Sequence, residues 1–341
     1  MSTSISDDWC RRDFLTRLPL VGAAALLGVR PAPVAAEPPP ETLRVRLIRS
    51  PDICLAPLYM AEELLRGEGF TDVQYAQGTG GQDDIMLAAT GDVDFIGGFV
   101  GRHLAGLDKG DPIVILSGLH TGCFELFGNQ HIRSIGDLKG KRVAVTRLTS
   151  GRHIFLSVMA GHVGLDPGKD INWVTDPPAK AIQLFADGKI DAFMAFPPEP
   201  QELRTRMIGH VVVNTVSDRT WSQYFCCMVV ANREFVRKHP AATKRALRAI
   251  LKANGVCALE PVRAARRLVD KWYPTTNYDY ALQTVKELPY GRWREFVPED
   301  TVRFYALRMH EVGMLRSSPQ QVIAQGTDWR FLNELKKELK G

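Results

Sequence analysis

Short apolar runs alternate with longer stretches of helical periodicity along this chain. Residues 43–48 alternate apolar and basic side chains and predict a strand. A loop then leads to a helix starting near Pro57, since proline suits a helix's first turn. A second strand at 73–76, a glycine-rich loop at 78–82 and a helix over 83–89 follow. A third strand at 93–96 ends on Gly97-Gly98-Phe99 and enters a helix that runs through Leu107. Strand, loop and helix thus recur three times, which predicts an α/β fold with a parallel sheet and helices on its faces.

Residues 113–116 and 123–127 read as strands with no long helix between them, and from Ile135 the first pattern begins again. A strand at 143–145, a loop Leu148-Thr149-Ser150-Gly151, a helix over 152–163 and strands at 173–174 and 190–195 repeat the earlier order. A polar and basic stretch then leads to Val211-Val212-Val213. Residues 225–232 form a strong strand, and the remaining segments, 233–239, 240–259, 261–272, 278–288, 298–312 and 329–339, carry helical patterns. Two motifs mark the repeat: Gly91-Asp92-Val93-Asp94-Phe95 and Gly188-Lys189-Ile190-Asp191-Ala192. In each, a glycine closes a helix in the left-handed conformation and an aspartate opens a buried strand.

The economical arrangement is two doubly wound lobes joined by a two-crossover hinge. Residues 37–125 plus 225–341 form a discontinuous first lobe carrying the C-terminal helices, and 126–224 form the second. A ligand is expected in the crevice at the C-terminal ends of the strands. Asp94 and Asp191 would start strands at the far end, and are therefore structural.

The N-terminus carries paired arginines in Cys10-Arg11-Arg12-Asp13-Phe14-Leu15, an apolar stretch from Leu18 to Val29, and the small residues of Pro33-Val34-Ala35-Ala36. That is the layout of a twin-arginine secretory signal over 1–36, cleaved near Ala36, and it predicts a periplasmic protein that meets the Tat export machinery. The apolar stretch falls short of the roughly 20 residues a bilayer span needs. Cys54, Cys123, Cys226, Cys227 and Cys257 remain in the mature chain. They show no Cys-x-x-Cys and no zinc-type spacing, so no metal is expected. The favoured reading is buried, inert thiols, with one pair allowed by the compartment. The formal net charge of +5, without a dense basic run, points away from nucleic acid.

Helix N-termini at the crevice favour anions. Gly80 and Gly81 in one loop, and Thr149, Ser150 and Gly151 in the other, are the candidate donors. Neither loop is a phosphate-binding P-loop or a dinucleotide fingerprint. His120 could donate to an anion, although a lone histidine is more often structural. Tyr59, Phe99, Phe196 and Trp221 could stack on a planar ligand. Arg102-His103 and Arg152-His153 read as solvated or capping residues. No Gly-x-Ser-x-Gly elbow is present, and Cys226-Cys227 sits in a strand where successive side chains face opposite ways, so no catalytic residue is assigned.

Ala56-Pro57-Leu58-Tyr59-Met60-Ala61, Leu87 to Phe95, Ile135 to Val145, Gly188 to Ala192, and Asn232 to Val236 with Pro240 together resemble a known family. It comprises the solute-binding proteins of ABC importers for nitrate, sulfonates and taurine, related to binders of thiamine-pyrimidine precursors. The resemblance implies a type 2 periplasmic-binding fold that works as a monomer, without cofactor. Its lobes close on one small polar or anionic ligand and present it to a membrane permease and ATPase. Carried over by position, the ligand-facing residues include Pro57, Tyr59, Gly80, Gly81, Gly98, Phe99, Thr149, Ser150, Gly151, Phe196 and Pro197. The chain departs from the family at Phe196-Pro197-Pro198-Glu199, where a tryptophan is common. Two other readings are a thiamine-pyrimidine-synthase type of enzyme, of whose cysteine-rich run Phe225-Cys226-Cys227 is a faint echo, and a protein that presents its ligand to a membrane sensor.

Overall fold

The computed structural model describes residues 37–50, 52–78 and 82–339. The leader expected over 1–36 and the loop glycines Gly80 and Gly81 lie outside the described residues. The chain begins with β1 (Arg44–Arg49), α1 (Ala56–Gly67), β2 (Asp72–Gln77), α2 (Gln82–Thr90), β3 (Phe95–Phe99), α3 (Val100–Lys109) and β4 (Ile113–Thr121). It crosses to β5 (Glu125–Gly128), β6 (Arg142–Val145), α4 (Gly151–His162), β7 (Asn172–Thr175), α5 (Pro178–Ala186), β8 (Ala192–Ala195), α6 (Glu199–Thr205), β9 (His210–Asn214) and α7 (Arg219–Ser222). It returns through β10 (Phe225–Asn232) and finishes in α8 (Arg233–Lys238), α9 (Pro240–Leu259), α10 (Pro261–Arg267), α11 (Tyr278–Glu287), α12 (Pro298–Glu311), α13 (Pro319–Gly326) and α14 (Arg330–Glu338). Among the described residues no helix is long and apolar enough to cross a membrane.

Two five-stranded sheets result, ordered β2-β1-β3-β10-β4 and β7-β6-β8-β5-β9. The parallel expectation holds for β1, β2 and β3 and for β6, β7 and β8, but both sheets are mixed. β10 runs antiparallel to β3 and β4, and β5 runs antiparallel to β8 and β9. The cause is direction of travel. A strand arriving from the other sheet enters at the C-terminal edge of the parallel strands, so it must run back along them.

The repeated motif is a structural device in both sheets. Gly91 and Gly188 take φ of +83° and +68°, the left-handed turn that ends α2 and α5. The aspartate three residues on grips the neighbouring parallel strand. Arg46 N–H donates to Asp94 Oδ2 at 2.7 Å and Arg46 Nη2 to Asp94 Oδ1 at 2.7 Å. In the second sheet Arg142 N–H donates to Asp191 Oδ2 at 2.8 Å, and Arg142 Nε to the same oxygen at 3.3 Å. Each aspartate's own N–H returns a bond to the carbonyl of that arginine, at 2.8 Å in both cases.

The helices after β10 pack on the first sheet and reach the second. α9 lies along α1, and Glu68 at the end of α1 accepts from Arg248 and Lys252. α12 packs against both α3 and α4, while Arg204 of α6 makes a two-pronged bond to Glu287 of α11 at 2.6 and 2.7 Å.

The two aspartates differ in surroundings, so they should differ in energetics. Burial outweighs the Arg46 contacts and holds the Asp94 carboxyl above the usual aspartate range. Desolvation also pushes Asp191 up, but hydrogen bonds from the Arg142 backbone and side chain outweigh it and hold that carboxyl low. Asp94→Ala strands a buried N–H and a half-buried guanidinium and should cost about 2 kcal/mol in urea unfolding at neutral pH. Asp191→Ala, at a more exposed pair, should cost about 1 kcal/mol. Because the folded state holds Asp191 more acidic than the unfolded chain does, its contribution is complete above the ordinary aspartate range. It is lost as pH falls through the folded value. The Asp191→Ala deficit should therefore shrink on acidification, and a deficit that grows would contradict this assignment.

Candidate functional site

Where the two sheets face each other, aromatic rings close the gap. Phe99, at the end of β3, stacks on Phe155 of α4 with centroids 5.2 Å apart, and meets Phe124 and Tyr305 edge-on at 5.3 and 5.5 Å. Phe124 touches Phe196 at 4.8 Å, and Phe155 continues to Trp221 at 5.6 Å. All six are buried. The contact is close because small residues line it. A side chain on Gly101 would begin 2.9 Å from Ile154 Cγ2, and one on Gly151 would begin 3.4 Å from Phe99.

Two arginines lie beside these rings. Arg102, in the first turn of α3, reaches Asp52 Oδ2 at 3.4 Å, and its guanidinium fills the space left by Gly98, where a Cβ would lie 2.6 Å from Nη2. Arg152, in the first turn of α4, makes a two-pronged pair with Glu199, its Nη2 donating to Oε1 at 2.8 Å, and its guanidinium lies 5.7 Å from the Phe196 ring centroid. Burial, opposed by Arg102, holds the Asp52 carboxyl above the usual range, and Arg152 also acts on it. Burial and the neighbouring Arg102 push the His103 imidazole down to about 3, so it is neutral at physiological pH. The expectation that Arg102-His103 and Arg152-His153 are solvated is corrected for Arg102, His103 and Arg152, which are buried or nearly so. A signal was available: the same Arg-His dipeptide occupies the first turn of α3 and of α4.

The segments joining the sheets are tied to each other. Gly122 takes φ +59°, and a Cβ there would lie 2.6 Å from the Thr215 carbonyl. Thr215 Oγ1 accepts from the N–H groups of Cys123 and Phe124 at 3.0 Å each and donates to Phe124 O at 2.8 Å. At the same place β10 carries a bulge: Phe225 pairs with Thr121 and Cys227 with His120, leaving Cys226 as the extra residue. Strict alternation therefore fails, and the two cysteines reach different partners near one another. Cys226 Sγ lies 2.8 Å from Cys123 Sγ, and Cys227 Sγ 3.9 Å from Cys54 Sγ.

Three of these sulfurs gather around the histidine. Cys54, His120, Cys123 and Cys227 each offer one ligand atom, all within 4.8 Å of one another and all buried. Burial pushes the thiols of Cys54, Cys123 and Cys226 well up. Burial acts the same way on Cys227, but hydrogen bonds from the surrounding thiols and the charge of His120 outweigh it and draw that thiol well down. The expectation of buried thiols holds, and three of them are brought together with His120. Residues far apart in sequence meet where strand ends converge, and sequence spacing carries no sign of it.

The predicted site residues divide accordingly. Phe99, Gly151, Phe196 and Trp221 belong to the contact between the sheets, with Ser150 capping α4 by accepting from His153 N–H at 3.3 Å. Thr149 is exposed at φ +72°, and Pro197 follows Phe196 at the end of β8. Gly98 makes room for Arg102. Tyr59 is corrected from ring-stacking candidate to core residue: it packs on Trp272 and Tyr273 at 5.3 and 5.6 Å, and its hydroxyl donates to Ser50 O at 2.8 Å. Pro57 is buried in the first turn of α1 beside it. His120 is fully buried and faces the cysteines, not an open crevice. Phe124, Phe155 and Tyr305 were not anticipated as facing groups.

Comparison with known proteins agrees with this architecture. The model of the NMT1-like family matches residues 125–272. A binding protein of Brucella abortus is 25% identical over 184 residues, which are 54% of this chain and 56% of the relative; the chain thus aligns with little more than half of that protein's length. The bicarbonate-binding protein CmpA of Synechococcus elongatus is 31% identical over 101 residues, 30% of this chain and 22% of the relative. Among solved structures, the periplasmic nitrate-binding protein NrtA from Synechocystis superposes with a TM-score of 0.74 at 16% identity, over 89% of this chain and 90% of that one. The aliphatic sulphonate binding protein SsuA from Escherichia coli gives 0.65 at 15% identity, over 81% and 90%. The fold is therefore that of the periplasmic binding proteins.

The glycine-lined contact can be checked directly. Gly101→Leu must displace Ile154 or Phe99 and should hold the sheets apart. Small-angle scattering should then show a larger radius of gyration than the parent, with far-ultraviolet dichroism unchanged; an unchanged radius would mean the contact is softer than described.

Proposed function

We propose that this chain is an exported solute-binding protein of an ABC importer. It takes one small anionic ligand between its two sheets and hands it to a membrane permease driven by an ATPase. The observation that carries the reading is the pairing of Arg102 and Arg152, one from each sheet's helix-start, beside facing aromatic rings. Each guanidinium is paired with a carboxylate, Asp52 or Glu199. A ligand bearing a carboxylate, sulfonate or nitrate-like group would compete for those guanidinium edges, and the rings would cover its apolar part. The relatives named above bind bicarbonate, nitrate and sulphonates, which are anions of this kind. Binding that bridges both sheets favours the closed form over the open one, which is how such a protein would signal its loaded state. Residues 1–36 would act as the twin-arginine leader, residues 37–125 and 225–341 as one lobe and 126–224 as the other. The mature protein would act as a periplasmic monomer, with no chemistry performed on the ligand.

Titration calorimetry of the mature protein against bicarbonate, nitrate, alkane- and arenesulfonates, small carboxylates and pyrimidines tests this. One of the anions should bind with a stoichiometry of one, and Arg102→Ala and Arg152→Ala should each weaken it at least tenfold, about 1.4 kcal/mol or more. Binding of a neutral pyrimidine alone, or of no member of the panel, would overturn the anion reading.

A further inference from the structure

We propose that Cys54, His120, Cys123 and Cys227 form a binding site for a thiophilic divalent ion of the zinc type, at the point where the two connecting segments meet the first sheet. The donor set is three sulfurs and one imidazole, the composition of tetrahedral structural zinc sites. Its four ligand atoms lie within 4.8 Å of one another. The Cys54–Cys227 sulfur separation of 3.9 Å matches the edge of about 3.8 Å that a tetrahedron with metal–sulfur bonds near 2.3 Å requires.

The histidine is set up independently of the sulfurs. His120 is fully buried, and its Nδ1 lies 2.9 Å from Gly122 O and 3.3 Å from Thr121 O. Carbonyls only accept, so Nδ1 carries a proton, and Nε2, which has no hydrogen-bond partner, is the ring atom left to meet an ion. A buried polar atom without a partner costs free energy. A ring fixed through Nδ1–H to a backbone carbonyl is also the arrangement that orients a metal-binding imidazole. The Cys54 carbonyl is held in turn by the Tyr290 hydroxyl at 2.7 Å. The β10 bulge brings Cys227 opposite His120, and the tight approach at Gly122 delivers Cys123, the next residue.

Thiol protons leave to solvent as the ion enters, and no oxidant or reductant is involved. Four chain segments would be joined at one point: the turn after β1, the end of β4, the outgoing connection and the returning strand. Cys226, 2.8 Å from Cys123, is the nearest competitor for that sulfur, and Cys257, in α9, is not one of the four converging ligands.

The test uses the mature protein, stripped of metal and kept under a non-thiol reductant. Cobalt(II) titration should give thiolate charge-transfer absorption and tetrahedral visible bands saturating at one equivalent, and zinc should displace it. Cys54→Ser and Cys227→Ser should each weaken cobalt binding at least tenfold, whereas Cys226→Ser and Cys257→Ser should keep it within about twofold of the parent. Zinc should raise the melting temperature of the parent and of Cys226→Ser, a readout that does not depend on any one cysteine variant folding well. A parent protein with five titratable thiols that shows neither the cobalt bands nor a zinc-dependent melting shift would overturn the proposal. So would bands that survive intact in a folded Cys54→Ser variant. Neither measurement depends on which anion, if any, binds between the sheets.

Discussion

The close crossing of Gly122 over Thr215 is the constraint on which the rest of the molecule depends. Only a residue without a Cβ fits there, with a left-handed backbone that few other residues adopt. Once the two connections touch, Thr215 satisfies the amides of Cys123 and Phe124, which would otherwise be buried without partners. The direction in which β5 and β10 enter their sheets follows from the same crossing. So do the mixed topology, the placement of Phe124 between the sheets and the convergence of sulfurs beneath it.

Around that crossing the molecule separates two environments. Toward the facing surfaces, rings from both sheets exclude water, and two arginines are paired with Asp52 and Glu199. A buried ion pair of this kind contributes little net stability, because desolvation offsets attraction. In the proposed function each pair presents a guanidinium at a fixed place, where a competing anion would take over the carboxylate's role. On another side of the crossing, thiols and a fixed imidazole sit out of water with their ligand atoms close together. The two regions share Asp52, Arg102 and Cys227 as electrostatic neighbours, so charge introduced in one is felt in the other.

The repeated Gly-x-Val/Ile-Asp shows how local sequence is turned into architecture twice. In each copy the glycine ends a helix, the next apolar residue is buried, and the aspartate locks the new strand to its neighbour through an arginine amide. Both copies use the same Asp–Arg pair across adjacent parallel strands, with backbone bonds of 2.7 and 2.8 Å.

What the sequence by itself determined is local and periodic: the order of strands and helices, the helix-ending glycines, the proline-started helices, the structural place of the two aspartates and the division into two similar sheets. These depend on residues near each other in the chain and on hydrophobic period. Tertiary structure alone decided which side chains meet. A bulge at Cys226 broke the alternation that seemed to part the two cysteines, the crossing at Gly122 carried His120 and Cys123 to sulfurs of distant segments, and burial turned Arg102 and Arg152 from surface residues into facing ones. Such encounters arise from chain direction and close approach between elements far apart in sequence, and no pattern within one element encodes them.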